Sequence, residues 1–218
     1  MVDAPLERLR RRVLACRRCP RLAAYHRAIA AEHPDWHCKP VPGFGDPRAT
    51  AVLIGLAPSK TGGNRTSRIF TGDKTAAFLF PALHAVGWAN RAASEGADDG
   101  LTLRGLWLTP ALKCAPPQDR PSPSELRNCF PFFAEELASL TRVVVVIALG
   151  KIAHDAYVRF RKARLSRVPF AHGAVHRFDD GGPLLVDTYH CSPRNTNTGL
   201  LTQEMLVAVL RRAKALSA

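Results

Sequence analysis

Seven consecutive apolar residues constrain the fold of this chain most strongly: Val143-Val144-Val145-Val146-Ile147-Ala148-Leu149. Such an unbroken run is typical of a central strand in a parallel sheet whose two faces are both covered. Further apolar runs predict strands at 51–56, 106–109 and 184–189, and helical patterns separate them, among them 75–86, 151–160 and 202–215. This alternation predicts an α/β fold, a three-layer α/β/α arrangement around a central parallel sheet of about four strands.

The length and charge of the chain limit the kinds of protein and partner that need to be considered. A chain of 218 residues suits a single domain over residues 1–218, and no apolar run is long enough to cross a bilayer. The formal charge of +13 favours a polyanionic partner, most simply nucleic acid. A basic proteome or a membrane surface would also account for the charge, but no polybasic tail or lipidation signal supports the membrane.

A long loop, residues 55–73, follows the first predicted strand and contains glycines, hydroxyls and the cations Lys60, Arg65 and Arg68. In open α/β sheets, ligands bind just beyond the carboxyl ends of the strands. Its glycines allow close backbone approach and its cations supply positive charge. We therefore predict that this loop forms one wall of a site that meets a phosphate chain.

A second loop, residues 190–199, follows the last predicted strand and contains His190, Arg194 and Asn195. A lone histidine is usually structural. This one stands where an active site lies on an α/β sheet, which favours a functional role.

Four of the six cysteines form a candidate metal site: Cys16, Cys19, Cys114 and Cys129. Four thiolates suit tetrahedral zinc or an iron–sulfur cluster. The wide spacing of the second pair favours the bulkier cluster, but spacing leaves both metals open. The alternative is that Cys114 and Cys129 are ordinary buried thiols. We assign no ligand role to Cys38 or Cys191.

Several short motifs occur in order along the chain, at residues 16–22, 42–47, 55–58, 64–66, 70–73, 113–117, 148–150, 189–190 and 195–202. Together they resemble the uracil-DNA glycosylase superfamily, specifically family five, the B-type enzymes of bacteria and archaea that contain an iron–sulfur cluster. The similarity covers nearly the whole chain.

The resemblance implies a [4Fe–4S] cluster on the four cysteines, with a structural role because base excision of this type moves no electrons. It also implies a DNA repair reaction, hydrolysis of the bond between a flipped deaminated base and deoxyribose. We therefore expect DNA containing deaminated bases as the partner, a monomer, and a cytoplasmic location in a bacterium or archaeon.

A site for base excision needs a flat surface for the base, a partner for the departing base anion, a means of placing water and a grip on the phosphates, and particular residues suit these roles. Phe70 is expected to stack on the base, and His190 to stabilise negative charge on the departing base. Asp73 is the nearest carboxylate for water activation, although an Asp at this position also makes a good helix N-cap. We expect the base to be contacted by Gly55, Leu56, Ala57, Pro58 and Asn195, and the DNA phosphates by Lys60, Arg65, Arg68 and Arg194.

One departure from the family bears on specificity. Uracil-selective iron–sulfur relatives place an Asn near the end of the second strand, where this chain has Thr109-Pro110-Ala111. A pocket without that amide should discriminate less, so we expect uracil and also hypoxanthine, xanthine or ethenocytosine as substrates.

Two other classes of function remain. One is a non-catalytic iron–sulfur protein that binds nucleic acid. The other is a nucleotide hydrolase or kinase, although Gly150-Lys151 lacks the surrounding P-loop pattern.

Overall fold

A six-stranded sheet lies at the centre of the computed structural model, which describes residues 4–217. Residues 1–3 and 218 of the predicted domain lie outside the described residues. The strand order is β1-β3-β2-β4-β6-β5. The strands are β1 (Phe44–Gly45), β2 (Ala51–Gly55), β3 (Leu106–Pro110), β4 (Val145–Leu149), β5 (Val175–His176) and β6 (Leu184–Thr188).

The four predicted strands form the parallel part of this sheet, as expected. β2 pairs in parallel with both β3 and β4, and β4 pairs in parallel with β6. Their register places Leu53 of β2 beside Leu108 of β3 and Ile147 of β4. All residues of β2, β3 and β4 are buried, which explains why these strands are almost entirely apolar, with Thr109 of β3 as the exception.

Helices cover both faces of the sheet, which confirms the three-layer prediction. One face packs against α4 and α8, and the other against α1, α5 and α6. The helices are α1 (Ala4–Leu14), α2 (Pro20–Glu32), α3 (Gly63–Thr66), α4 (Lys74–Ala85), α5 (Pro123–Ser139), α6 (Lys151–Phe160), α7 (Pro193–Thr196) and α8 (Gln203–Leu216). Within residues 4–217, no helix is both long and apolar enough to span a membrane.

Helix α5 begins as its sequence predicts but does not break where expected. Ser122 and Glu125 form a reciprocal capping box, with Pro123 in the first turn. A proline inside a helix removes one backbone hydrogen bond and crowds the preceding turn, so the sequence favours a split at Pro131, yet the helix continues through it to Ser139. Pro131 is exposed, and so is Arg127, whose carbonyl loses its helical partner, so water can satisfy that carbonyl.

Short elements appear where the sequence predicted only loop. β1 and β5 have two residues each and pair antiparallel at the edges of the sheet, and α3 and α7 have four residues each. Elements of this length contain too few residues to show a hydrophobic period, so pattern analysis missed them.

Candidate active site

A pocket of about 700 Å³ lies at the carboxyl edge of the sheet, as predicted. Three connections line it: the loop after β2 (residues 56–73, the β2 loop), the segment after β3 (residues 116–120), and the loop after β6 (residues 189–202, the β6 loop). Of the predicted site residues, the pocket brings together Leu56, Ala57, Phe70, Asp73, His190 and Arg194.

Phe70 is held in the pocket wall by its contact with Gly55. The backbone of Phe70 has a positive φ of 52°, an uncommon conformation for a residue with a side chain. Its ring covers Gly55 so closely that a Cβ there would stand 2.4 Å from Cζ of Phe70. Gly55 therefore serves to seat the ring, and Phe70 is both largely buried and part of the pocket lining.

Asp73 caps helix α4 and also faces the pocket. Its Oδ1 accepts a hydrogen bond from the backbone N–H of Ala76 at 2.8 Å, which confirms the capping prediction. Its Oδ2 accepts a hydrogen bond from the hydroxyl of Ser59 at 2.5 Å. Ser59 is held in turn by the N–H of Gly62, 3.0 Å from Oγ. Capping uses one carboxylate oxygen and leaves the other at the pocket, next to Ser59.

Arg68 does not have the predicted phosphate-binding role, because its side chain is buried and used within the protein. Its guanidinium donates to Asp99 at 2.6 Å and to Ser94 at 2.9 Å, and it stacks over Phe44. A buried cation is stable only when it is paired and hydrogen-bonded in this way. The sequence could not show this because Asp99 lies 31 residues away along the chain.

The other three residues that were predicted to contact phosphates have different positions, and only one of them lines the pocket. Arg65 donates to the backbone carbonyls of Thr61 at 2.7 Å and Gly72 at 3.0 Å, so it holds the β2 loop together. Lys60 lies 3.7 Å from Glu32, away from the pocket lining, with its side chain partly exposed. Arg194 is exposed and lines the pocket.

His190 lies at the start of the β6 loop with its ring in the pocket. Burial lowers the pKa of His190, and the charge of Asp73 acts in the opposite direction. The neutral imidazole, a hydrogen-bond donor at one nitrogen and an acceptor at the other, is therefore favoured near neutral pH. Asn195, predicted to contact the base, instead donates its amide to the carbonyl of His190 at 2.8 Å and fixes the backbone there.

The segment after β3 brings three further residues to the pocket that were not predicted from the sequence: Gln118, Asp119 and Arg120. Gln118 and Asp119 both have positive φ, 56° and 55°. Burial, and then the nearby charge of Asp73, raise the pKa of Asp119. The only sequence signal was position: these residues follow motif 113–117 at the carboxyl end of a strand.

The four predicted ligand cysteines also converge, in a separate cavity of about 230 Å³. Burial and the neighbouring thiols Cys129, Cys16 and Cys19 raise the pKa of Cys114, and burial raises that of Cys129 to about 11. Such thiols are costly to ionise without a bound cation, so four of them around one cavity fit a metal or cluster. The N–H of Lys113 points at Sγ of Cys129, at 3.2 Å.

Cys38 lines the same cavity, which the sequence did not suggest. None of the six cysteines, all of which lie among the described residues, forms a disulfide. Cys191 is fully buried in the core next to α8, away from the cavity.

Comparison with known proteins agrees with this arrangement. The family model described as uracil DNA glycosylase superfamily matches residues 42–214. The chain is 46% identical over 209 residues to a type-5 uracil-DNA glycosylase of Thermus thermophilus, covering 93% of this chain and 94% of that protein. It is 42% identical over 208 residues to a type-5 uracil-DNA glycosylase of Pyrobaculum aerophilum, covering 94% and 90%.

A type-5 uracil-DNA glycosylase of Mycobacterium tuberculosis is 37% identical over 214 residues, which cover 94% of this chain and 79% of that protein. The similarity therefore extends over nearly the full length and includes both the pocket and the cysteine cavity. The chain belongs to the uracil DNA glycosylase superfamily, a family of DNA repair enzymes.

Proposed function

We propose that this chain is a DNA glycosylase that binds an extruded, deaminated base in the pocket and hydrolyses its N-glycosidic bond, leaving an abasic site. The observation that carries the proposal is the convergence of Phe70, Asp73 and His190 on one pocket. These residues are an aromatic ring, a carboxylate and a neutral imidazole. Base excision needs a stacking surface, a negative charge beside the sugar and a donor to the leaving base.

His190 acts on the leaving group in this proposal. As the bond between C1′ and the base nitrogen breaks, its electron pair moves onto the base, and negative charge develops on a base carbonyl oxygen. The neutral ring of His190 donates a hydrogen bond to that oxygen. Among the described residues no hydrogen bond reaches this ring, so its donor is free for the base. A donor aligned with developing charge contributes about 10²–10³-fold in rate.

Asp73 acts on the sugar and the water. The Oδ2 atom, held by Ser59, places negative charge in the pocket, where it stabilises the positive character that develops at C1′. The same carboxylate orients a water whose oxygen bonds to C1′. The proton lost by this water balances the negative charge on the released base. Asp119, whose pKa is raised by burial and by Asp73, is a second carboxyl group at the same pocket.

DNA is gripped by groups around the rim. Arg194 and Arg120 are exposed at the pocket and hold backbone phosphates. Leu200 in the β6 loop leaves 47% of its surface exposed, the highest value for a large apolar side chain among the described residues. It enters the gap that the flipped base leaves in the duplex.

The substrate range extends beyond uracil to hypoxanthine, xanthine or ethenocytosine. At the end of β3, the hydroxyl of Thr109 is bound to Glu136 and Lys113, so it cannot read a base edge. The amide that lines the pocket belongs to Gln118, which is exposed. A pocket without a buried amide discriminates weakly between bases.

Cys16, Cys19, Cys114 and Cys129 would hold a [4Fe–4S] cluster in the cysteine cavity. Through these ligands the α1–α2 connection would be joined to the body of the protein, and the role would be structural because a hydrolysis needs no electrons. The whole chain then acts as one catalytic domain, as a monomer, on cytoplasmic DNA.

The test is abasic-site formation on labelled duplexes that differ only in one base: uracil, hypoxanthine, xanthine, ethenocytosine, or undamaged cytosine as control. Alkali cleaves each abasic site, and gels quantify the product. We expect product from uracil and from at least one other damaged base. Product from uracil alone would refute the broad range. Salt-sensitive binding with no product from any duplex would show a binding protein instead.

A further inference from the structure

A largely buried group of three side chains lies at the end of β6: Asp187 of β6, His154 of α6 and His176 of β5. The carboxylate of Asp187, fully buried, accepts a hydrogen bond from Nδ1 of His154 at 2.8 Å and one from Nε2 of His176 at 2.9 Å. The other nitrogen of His154 donates to the carbonyl of Val168 at 2.8 Å. Because acceptors face both nitrogens of His154, both carry protons, and the pair with Asp187 is ionic. These nitrogen–oxygen distances are those of hydrogen bonds, so the three side chains form a hydrogen-bonded group.

This ion pair fastens helix α6 to the end of β6, three residues before His190. His154 lies in the first turn of α6, and Asp187 is the penultimate residue of β6. A second attachment lies next to it, since the N–H of Gly150 donates to the carbonyl of Thr188 at 2.8 Å. Two adjacent residues of β6 therefore hold the start of α6.

The start of α6 in turn abuts His190. Gly150 has a positive φ of 83°, and a Cβ there would stand 3.2 Å from Cβ of His190. The ring of His190 has no hydrogen bond from the described residues, so contacts of its backbone and Cβ decide where it points. Asn195 fixes its carbonyl from the side of the β6 loop. From the side of α6, Gly150 lies so close to His190 that an added side chain would press on its Cβ.

We propose that His154 and Asp187 are positioning residues for base excision. Their ion pair holds Gly150 against β6 and so sets the place of His190 in the pocket. The proposal rests on the proposed function, because it requires His190 to act on the leaving base. A displacement of about 1 Å at a reacting group can lower a rate about 100-fold, so a loosened α6 would slow excision without weakening the grip on DNA.

The test compares His154→Gln with Tyr157→Phe, both in α6. The introduced glutamine can bond Asp187 or Val168 but cannot carry the charge, whereas Tyr157→Phe removes a partly buried hydrogen bond to the carbonyl of Pro183 at 3.2 Å. The measurements are the single-turnover excision rate on a uracil duplex, the Kd for that duplex, and the melting temperature, with the cluster intact.

We expect His154→Gln to lower the excision rate about 10- to 100-fold with an unchanged Kd, and Tyr157→Phe to leave the rate unchanged. Equal rate losses in the two variants would overturn the proposal, because they would reflect general destabilisation. If His154→Gln does not fold, Gly150→Ala tests the same point, since it perturbs His190 while the ion pair stays intact.

A double variant that combines His154→Gln with His190→Ala shows whether His154 acts by positioning His190 or in some other way. In the His190→Ala background, His154→Gln should cause no further loss of rate, because the residue that it positions is gone. A full, multiplicative loss in the double variant would refute the proposal. A wild-type rate in His190→Ala alone would instead refute the assigned role of His190, so the two failures are distinguishable.

Discussion

The β2 loop and the β6 loop meet at the same pocket but use their cations in opposite ways. In the β2 loop, Arg65 and Arg68 bind partners within the protein, although Asp73 of the same loop faces the pocket. In the β6 loop, Arg194 is exposed, and His190 presents to the pocket a ring that no described residue hydrogen-bonds. The arginines of the loop richer in cations are thus structural, whereas the shorter loop offers a cation and an imidazole to a ligand.

The difference shows that the number of charges in a loop does not measure its role in binding. A guanidinium that has a buried carboxylate partner is not available to a phosphate. What matters is which side chains the fold leaves without a partner at the pocket. Three variants test this comparison.

The largest effect is expected at Arg68. Replacement by Met would leave the carboxylate of Asp99 nearly buried and without its cation. Loss of one partner of a buried ion pair costs about 3–5 kcal/mol, so Arg68→Met should lower the free energy of unfolding by that amount. Urea unfolding measures it. A loss below about 0.5 kcal/mol, the range of surface substitutions, would show that Arg68 is not structural.

A smaller effect is expected from pH at Asp99. Burial acts to raise the pKa of Asp99, but the hydrogen bonds from Arg68 and from the N–H groups of Glu95 and Leu101 outweigh it and hold the pKa well below its usual range. The folded state therefore favours the carboxylate form. This stabilisation is complete above the unfolded pKa of about 3.9 and is lost as pH falls towards the folded value.

Asp99→Asn should accordingly destabilise the protein more at pH 7 than at pH 3, in melting curves at both values. Asp98→Asn, at the exposed neighbouring residue, is the matched control and should change neither curve. An Asp99→Asn penalty independent of pH would contradict the ionic role.

The smallest effect is expected at Arg194, and it concerns binding alone. Arg194→Gln should leave the melting temperature unchanged and reduce the slope of log Kd against log salt by about 0.9, the value for one lost phosphate contact. Arg142→Gln is the control, because exposed Arg142 precedes β4 and so lies at the opposite edge of the sheet. Equal slopes for the two variants would remove Arg194 from the DNA contacts.

The parallel strands of the core could be predicted because buried strands are apolar, and this shows in the sequence of each strand. Every residue of β4 is buried, so an unbroken apolar run predicts it. The helix start at Ser122 is local as well, since its capping box spans four residues. The cysteine cavity was predictable because thiol ligands are rare and their spacing is informative.

Two of the failures share one cause, which is that the residues have distant partners. Arg68 resembles a free cation until Asp99 folds beside it, and Asp119 resembles a turn residue until burial and Asp73 raise its pKa. Tertiary contact decides both outcomes, and the residue pattern does not encode it locally. Asn195 differs, because its partner, the carbonyl of His190, lies only five residues away, and the conformation of the β6 loop brings the two groups together.

The most direct test of the central claim is the single-turnover rate of uracil excision by His190→Ala, compared with His84→Ala. His84 is an exposed histidine in the last turn of α4, at the far end of that helix from the pocket. We predict a loss of about 10²–10³-fold for His190→Ala, with an intact cluster and unchanged DNA affinity, and a wild-type rate for His84→Ala. Wild-type rates for both variants would contradict the claim that the β6 loop supplies the group that acts on the base.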